Sequence, residues 1–424
     1  MPTLLLINPI KRKSNWIRRF QIPPLSLLQL AALVPANWKV EIIDENIEEL
    51  PPGFGADLVG ITAMTYQASR AYEIAGMARE KGIPAVLGGL HPSTLPEEAL
   101  EHAASVVIGE AEPVFRTLLS DFEAGGLKPL YRGGSEASMA EYPSPRRDLI
   151  AGKRYLTRNL LQTTRGCPWD CPFCSTPRFF GKKYRSRPIN DVISDIASME
   201  GDFFLFMDDN INGSASYCRE LFRALIPLKK KWASQASLLI AEDDELLALA
   251  RDSGCIGLFA GFDSLRPENR KGLSKYKSIS SVEDCVKKIQ DHGIGLEGSF
   301  VFGFDDDDPG VFERSVRWAQ KLGLASATFA LLTPYPGTPV FKELRSQDRI
   351  LTYDWDLYNQ TRVVIRPKRM TPEELWEGFY WSRKEFVAWS SIFRRLSKMP
   401  VRKMHYFAYN ILRKGSIGNL PPTL

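Results

Sequence analysis

The run Gly166-Cys167-Pro168-Trp169-Asp170-Cys171-Pro172-Phe173-Cys174 constrains this chain more than any other stretch. Its three cysteines follow the spacing C-x3-C-x2-C. Gly166, Pro168 and Pro172 make the run a poor core segment, so packing of small hydrophobes does not explain the cysteines. Thiolates are soft ligands, and iron–sulfur clusters usually take four of them. Three close ligands hold three corners of a [4Fe–4S] cube and leave one iron open to a small molecule with N and O donors. Two other readings start from the same residues. A zinc site pairs two C-x2-C elements or adds histidines, but Cys218, Cys255 and Cys285 stand alone. A closed electron-transfer cluster needs a fourth nearby ligand, and none is evident.

The chain has 424 residues, enough for two domains and a smaller piece. Its net charge of +5 is too small to indicate nucleic acid, and no recognition motif for one is present. Six cysteines, three of them clustered, do not form a disulfide framework and fit a reducing, cytoplasmic setting. The N-terminal run Met1-Pro2-Thr3-Leu4-Leu5-Leu6-Ile7-Asn8-Pro9 is too short for a signal peptide and reads as a first strand. No uninterrupted apolar run is long enough to span a bilayer.

Residues 1–125 alternate strand and helix. Short apolar runs at 3–7, 39–43, 57–62, 85–87 and 105–108 read as strands. Ala71, Ile74, Ala75 and Ala78 recur at helical spacing, stopped by Gly82 and Pro84. This alternation predicts a doubly wound, Rossmann-like parallel sheet, whose ligands bind beyond the carboxyl ends of the strands. Residues 126–159, rich in glycine and proline, read as a linker. Residues 160–345 alternate again, with strands expected at 160–164, 203–207, 237–240, 255–260, 296–302 and 326–331. The cysteines follow the first of these, where a barrel carries its chemistry. Residues 346–424 read as a helical extension, in which Thr371 and Glu374 form a capping box before Leu375, Trp376, Phe379 and Tyr380.

The segment from Thr164-Arg165-Gly166-Cys167 through Phe173-Cys174 resembles the signature of the radical S-adenosylmethionine (radical SAM) family. The resemblance implies a partial (β/α)6 barrel. It also implies a [4Fe–4S] cluster on Cys167, Cys171 and Cys174, and SAM chelated at the open iron and cleaved to a 5′-deoxyadenosyl radical. Phe173 fits the family's aromatic position. Asp208 and Asp209 at a strand end match the polar pair that holds the methionyl ammonium, although Asp there also suits a helix cap. Gly261-Phe262-Asp263-Ser264 resembles the family's Gly-x-Glu-Ser, with Asp263 one methylene shorter and Ser264 retained. Gly298 and Gly303 resemble the flat strand under the adenine. Lys182, Lys183, Arg185 and Arg187 read either as contacts to cofactor carboxylates and phosphates or as a solvated basic face. The acidic run 304–310 reads as a solvated loop capping the next helix, since it lacks the alternate-ligand spacing of a calcium loop.

The N-terminal loops resemble the cobalamin-binding domain that precedes many radical SAM domains. The matching stretches run from Ala56 to Thr62, from Val86 through Gly88-Gly89-Leu90-His91-Pro92, and from Val106 through Gly109-Glu110. By this resemblance Thr62, Met64, Thr65, Gly88, Gly89, His91, Gly109 and Glu110 would contact cobalamin. No D-x-H-x-x-G motif is present, so the expectation is cobalamin without a histidine ligand; the bland alternative is a Rossmann-like domain without cobalamin. The loop Thr333-Pro334-Tyr335-Pro336-Gly337-Thr338-Pro339 is similar to one that lines substrate pockets in this group. The tail from Arg366 to Leu375 resembles a subgroup acting on hopanoid lipids and other hydrophobic molecules.

These resemblances imply a cobalamin-dependent enzyme that methylates an unactivated carbon of a hydrophobic small molecule, supplied with electrons by a reductase. An oxidative cyclase or rearrangement enzyme shares the layout without methyl transfer. A non-enzymatic iron–sulfur or corrinoid-binding protein is the alternative of another class. Residues 386–424 contain no acid and interleave basic with aromatic residues, which suits peripheral contact with an inner membrane surface as well as a helix packed on the barrel.

Overall fold

The computed structural model describes residues 1–10, 21–134, 138–264, 281–397 and 403–417. The N-terminal domain is a six-stranded parallel sheet of β1 (Thr3–Asn8), β2 (Lys39–Asp44), β3 (Leu58–Thr62), β4 (Ala85–Gly88), β5 (Ser105–Ile108) and β6 (Leu130–Arg132), in the order β2-β1-β3-β4-β5-β6. Leu4–Ile7 are all buried, as expected of a strand covered on both faces. Side chains alternate across the sheet. Leu4, Leu6, Leu58, Val86 and Val107 pack under helices Leu25–Ala31 and Glu112–Glu123. Leu5, Ile7, Val59, Ile61 and Val106 pack under helix Ala68–Glu80, which buries the expected row of Ala71, Ile74, Ala75 and Ala78. Strand order reverses at β1, so the ligand crevice opens at the carboxyl ends of β1 and β3. The stretch read as a linker supplies β6, which pairs in parallel with β5 through Val106–Ile108. Three residues are too few to register as a strand in sequence.

The second sheet is also parallel and open, in the order β14-β13-β12-β11-β10-β7: a partial six-stranded barrel. Its members are β7 (Leu160–Leu161), β10 (Phe203–Phe206), β11 (Lys231–Ala236), β12 (Cys255–Asp263), β13 (Gly295–Phe302) and β14 (Ser326–Leu331). Two expectations change. The run 160–164 is split, because Asp208 accepts hydrogen bonds from the backbone and hydroxyl of Thr163 and from the hydroxyl of Thr164. These bonds end β7 and turn the chain into β8 (Thr164–Arg165), which pairs antiparallel with β9 (Arg185–Ser186) across the cysteine loop. The strand expected at 237–240 lies instead at 231–236, and Leu238–Glu242 is a 3-10 turn. The Ser237 amide is taken by the side chains of Asn210 and Asn212, which stops the ladder.

The C-terminal extension closes the barrel's lower end. The Thr371–Glu374 capping box forms as expected, with reciprocal bonds of 3.1 and 2.7 Å. Helix Pro372–Phe386 buries Leu375, Phe379 and Phe386 in the barrel core. Helices Trp389–Ser397 and Lys403–Ile417 follow; Lys398 and Arg402 of the basic run lie outside the described residues. Tyr406 donates to the Ile256 carbonyl at 2.7 Å, over Gly295, where a Cβ would lie 1.8 Å from the Tyr406 hydroxyl. No helix among the described residues is long and apolar enough to cross a membrane.

One buried charge cluster joins the two domains. Glu110, on the loop after β5, pairs with Arg165 of β8 at 2.8 Å and with Arg185 of β9, and accepts from the Tyr142 hydroxyl at 2.6 Å. Arg165 also pairs with Glu112 at 2.6 Å and lies over the rings of Tyr142 and Phe180. Glu110, Arg165 and Arg185 are 2, 4 and 7% exposed, so each depends on the others for compensation. Glu110 is thus committed to the domain contact. Arg185, and Arg187 with Asp195, are buried ion pairs and not a solvated face. Burial alone would push the Glu110 carboxyl up, but Arg185, Arg165 and Tyr142 outweigh it and hold it below its ordinary value. Its contribution is therefore present above the ordinary carboxyl range and lost as pH falls through the lowered value. Glu110→Ala should cost about 3–5 kcal/mol by taking the carboxylate from the buried Arg185 guanidinium and leaving Arg165 with Glu112 as its remaining carboxylate. Glu110→Gln should flatten the fall in stability below about pH 4. Denaturant unfolding of both variants across pH checks this.

Candidate functional site

Gly166 begins the cysteine loop in the left-handed region (φ +86°), and a Cβ there would lie 2.2 Å from the Lys183 carbonyl, so only glycine fits between the arms of the loop. The loop is then held by the Cys167 amide on the Gly181 carbonyl (3.3 Å), a turn from the Cys174 amide to the Cys171 carbonyl (3.0 Å), and the Val340 amide on the Pro172 carbonyl (3.1 Å). None of the six cysteines is in a disulfide. Cys167, Cys171 and Cys174 line one cavity of about 250 Å³ at the carboxyl ends of the barrel strands. Among the described residues no three His, Cys, Asp or Glu side chains are grouped to hold a single ion; the thiols are set around a shared space instead. Such an arrangement can hold three corners of a cluster.

Asp208 and Asp209 divide the roles expected of both. Asp208 is 0% exposed and spends its carboxylate on Thr163 and Thr164, so it braces the split strand and does not line the cavity. Burial pushes its carboxyl up to about 6, against the pull of the threonine donors. Asp209 lines the cavity. One of its oxygens accepts from the Thr176 hydroxyl at 3.1 Å; the other is buried with no protein partner, and burial pushes this carboxyl up as well. Asn210 Nδ2 and Trp169 Nε1 are likewise buried without partners in the same wall. An unmet acceptor beside two unmet donors suits a ligand carrying both an ammonium and a carboxylate.

Phe173 and Asp263 also line the cavity. Asp263 does so from a register shift at the end of β12, with φ +51°, a conformation Asp tolerates better than most residues. Ser264 is buried beside it without lining the cavity. Gly298 and Gly303 do not reach it. Ser299 and Val301 face inward, so Gly298 faces the outer layer, where a Cβ would meet Leu324 and Phe262 at 2.8–3.0 Å. Gly303 turns the chain at φ +106° against Leu375. The loop expected to line a pocket does so through Thr333 and Tyr335. Gln235, Ser237, Ser299 and Gln360 complete the polar wall and were not anticipated; inward polar positions appear only once strand register is known. The acidic run is occupied structurally: Asp307 caps Gly303 and Phe304, and Asp305, Asp306 and Asp308 pair with basic neighbours.

A second cavity, of about 110 Å³, lies between the N-terminal sheet and helices Leu25–Ala31 and Glu112–Glu123. Leu6, Leu27, Val86, Val107 and Phe115 make its walls apolar. Thr62, Gly88, Gly89, Gly109 and Glu110 line it. A Cβ on Gly88 would meet only Val107, at 3.9 Å, so the glycine leaves room for a ligand rather than for a neighbour. The slot can take a flat apolar group against its glycine floor. Met64, Thr65 and His91 are not in it. Met64 is 40% exposed and Thr65 is buried in a short turn. His91 is fully buried against Glu98 (3.3 Å) and the Trp355 ring, which fix it between the domain and the extension. Arg165, Phe179 and Phe180 close the slot, so residues 165–180 wall both cavities. Of the basic residues after the cysteines, Lys182 pairs with Asp170 at the surface, at 2.6 Å.

Residues 18–119 match the family model described as B12 binding domain, and residues 161–319 match the radical SAM superfamily. The chain is 32% identical over 411 residues to bacteriochlorophyllide d C-12(1)-methyltransferase of Chlorobaculum tepidum, covering 94% of this chain and 90% of that one. It is 30% identical over 403 residues to the C-8(2)-methyltransferase of the same organism, covering 89% and 88%. The radical S-adenosylmethionine methyltransferase TsrM of Kitasatospora setae, solved with cobalamin and a [4Fe–4S] cluster, has the same fold, with TM-score 0.71, 17% identity, and 98% and 99% coverage.

In the ligand-free chain Asp208→Ala should cost at least about 3 kcal/mol, because each buried donor left unmet costs about 1–3 kcal/mol. Asp209→Asn should be neutral or stabilising, because it removes a buried charge with half its valence unmet. Chemical denaturation of the two variants distinguishes a brace from a ligand-facing group.

Proposed function

We propose that this chain, which belongs to the cobalamin-binding radical SAM methyltransferases, transfers a methyl group to an unactivated carbon of a hydrophobic ring-bearing substrate. The observation that carries the reading is the shared loop: residues 165–180 wall both the cysteine cavity and the N-terminal slot, so groups bound in the two stand on either side of one segment. When bound, the cluster with SAM supplies a 5′-deoxyadenosyl radical and cobalamin supplies the methyl group.

The chain's own residues bind, orient and exclude water. Cys167, Cys171 and Cys174 hold the cluster. Asp209 accepts the methionyl ammonium, and Asn210 and Trp169 donate to its carboxylate. The slot between the sheet and helix Glu112–Glu123 takes an apolar part of the corrinoid, with Gly88 giving close backbone approach. Ala236, Leu238, Phe259, Val301 and Leu332 form an apolar wall that fits a hydrophobic substrate and keeps water from a radical-bearing carbon. The relatives named for bacteriochlorophyllide support a substrate of that chemical kind. The electron that starts cleavage comes from outside the chain, from a reductase.

The protein reconstituted with iron, sulfide and hydroxocobalamin should bind corrinoid stoichiometrically and, with SAM, a reductant and a tetrapyrrole substrate, transfer the SAM methyl carbon to product. Cys171→Ala should abolish both cluster absorbance and 5′-deoxyadenosine. Asp209→Asn should weaken SAM binding about 10- to 100-fold, the worth of a charge-assisted hydrogen bond. Deoxyadenosine with a cyclised or desaturated product and no methyl transfer would overturn the methylation reading in favour of oxidative chemistry on the same fold.

A further inference from the structure

The final helix, Lys403–Ile417, packs Tyr406, Phe407 and Ile417 on the barrel core together with polar groups, and leaves further apolar residues outward. Inward, Tyr406 bonds the Ile256 carbonyl, Asn410 bonds the Ala325 carbonyl and Arg413 pairs with Glu297. Outward, Met404, Ala408, Ile411 and Leu412 make a stripe at helical spacing. Met404 is 75% exposed, Ile411 39% and Leu412 41%. Phe393 (60% exposed) and Trp389 (46%) extend the stripe from the preceding helix, with ring centroids 5.8 and 6.2 Å from Phe407. A contiguous exposed apolar face of this kind marks an interaction surface.

The charges around it choose the partner. Arg394 donates to the Gln320 side chain, Lys403 to the Ser397 carbonyl and Lys414 to the Val387 carbonyl. All three acceptors are neutral, and among the described residues none of these cations forms an ion pair. Residues 386–424 hold seven lysines and arginines and no acid. A second copy would bring the same positive face to a two-fold contact and repel it. The adjoining groove at Trp376 and Trp381 carries Glu377 and Glu385 and is shared by Lys414, so Arg394 and Lys403 carry the charge of this face.

We propose that this face docks on an anionic lipid surface, with Phe393, Met404 and Ile411 entering the boundary between headgroups and chains and the cations meeting the acidic headgroups. Tyr406 anchors the helix near the start of β12, whereas Asp263 at the end of β12 lines the cysteine cavity. Docking therefore uses the opposite end of the barrel and leaves the cavity unobstructed.

The full-length reconstituted protein is sedimented with vesicles of phosphatidylcholine alone or mixed with phosphatidylserine. It should sediment with the mixed vesicles only, and less at high salt. Arg394→Gln and Lys403→Gln should each weaken binding about fivefold, the share of one cation near an anionic surface. Phe393→Ser with Ile411→Ser should abolish it, and Trp381→Ser should leave it unchanged. These side chains are exposed, and thermal unfolding verifies that each variant folds. Failure to bind mixed vesicles, or binding that none of the patch substitutions alters, would overturn the proposal. A concentration-dependent dimer abolished by the same substitutions, without vesicle binding, would also overturn it and assign the face to a second copy.

Discussion

The charge cluster of Glu110, Arg165 and Arg185 is the interaction on which the rest of the structure depends. Charges removed from water are tolerable only when paired with good geometry. Here the carboxylate comes from the crevice edge of the N-terminal sheet and the guanidiniums from the two strands at the base of the cysteine loop. Neither half is satisfied without the other. The cluster thus ties the two domains together at the residue directly before Gly166 and Cys167, which sets where the cysteines lie relative to the N-terminal slot. Its value is in registry more than in net stability, since a well-packed apolar contact of equal volume would hold the domains as strongly.

From that anchor the site follows by simple directional rules. Neighbouring residues leaving a strand point to opposite sides. Asp208 therefore turns back into the barrel wall and stops β7, while Asp209 turns to the cavity with one oxygen unmet. The same alternation sends Ser299 and Val301 inward and Phe300 and Phe302 into the outer core. The cavity therefore has a polar rim where a zwitterionic ligand is met and an apolar remainder.

The sequence made much of this legible, and what it hid has physical causes. The cysteine spacing and the five apolar runs of the first domain were readable because buried parallel strands are continuous in hydrophobicity. β11 was misplaced by six residues because its polar Gln235 and Ser234 lie on a strand that walls the site, so it lacks that signal. β6 was too short to see. Glu110 and His91 read as ligand contacts, and Arg185 as either a cofactor contact or part of a solvated face, but their partners lie far away in sequence: Glu110, which also lines the slot, binds Arg185 across the domain boundary, and His91 packs on Trp355 of the extension. The glycines at 298 and 303 were read as cofactor contacts, but they answer to helix packing and to a turn, which composition alone does not distinguish.

The central claim is that a single loop separates the cluster site from the corrinoid site and holds the two close together. Electron paramagnetic resonance of the loaded protein, with the cluster reduced and the cobalt in its Co(II) state, tests it most directly. The account predicts that the two paramagnets couple, so each broadens or splits the other's signal, and that Glu110→Ala diminishes the effect. Two independent spectra, equal to the sum of singly loaded samples, would contradict it.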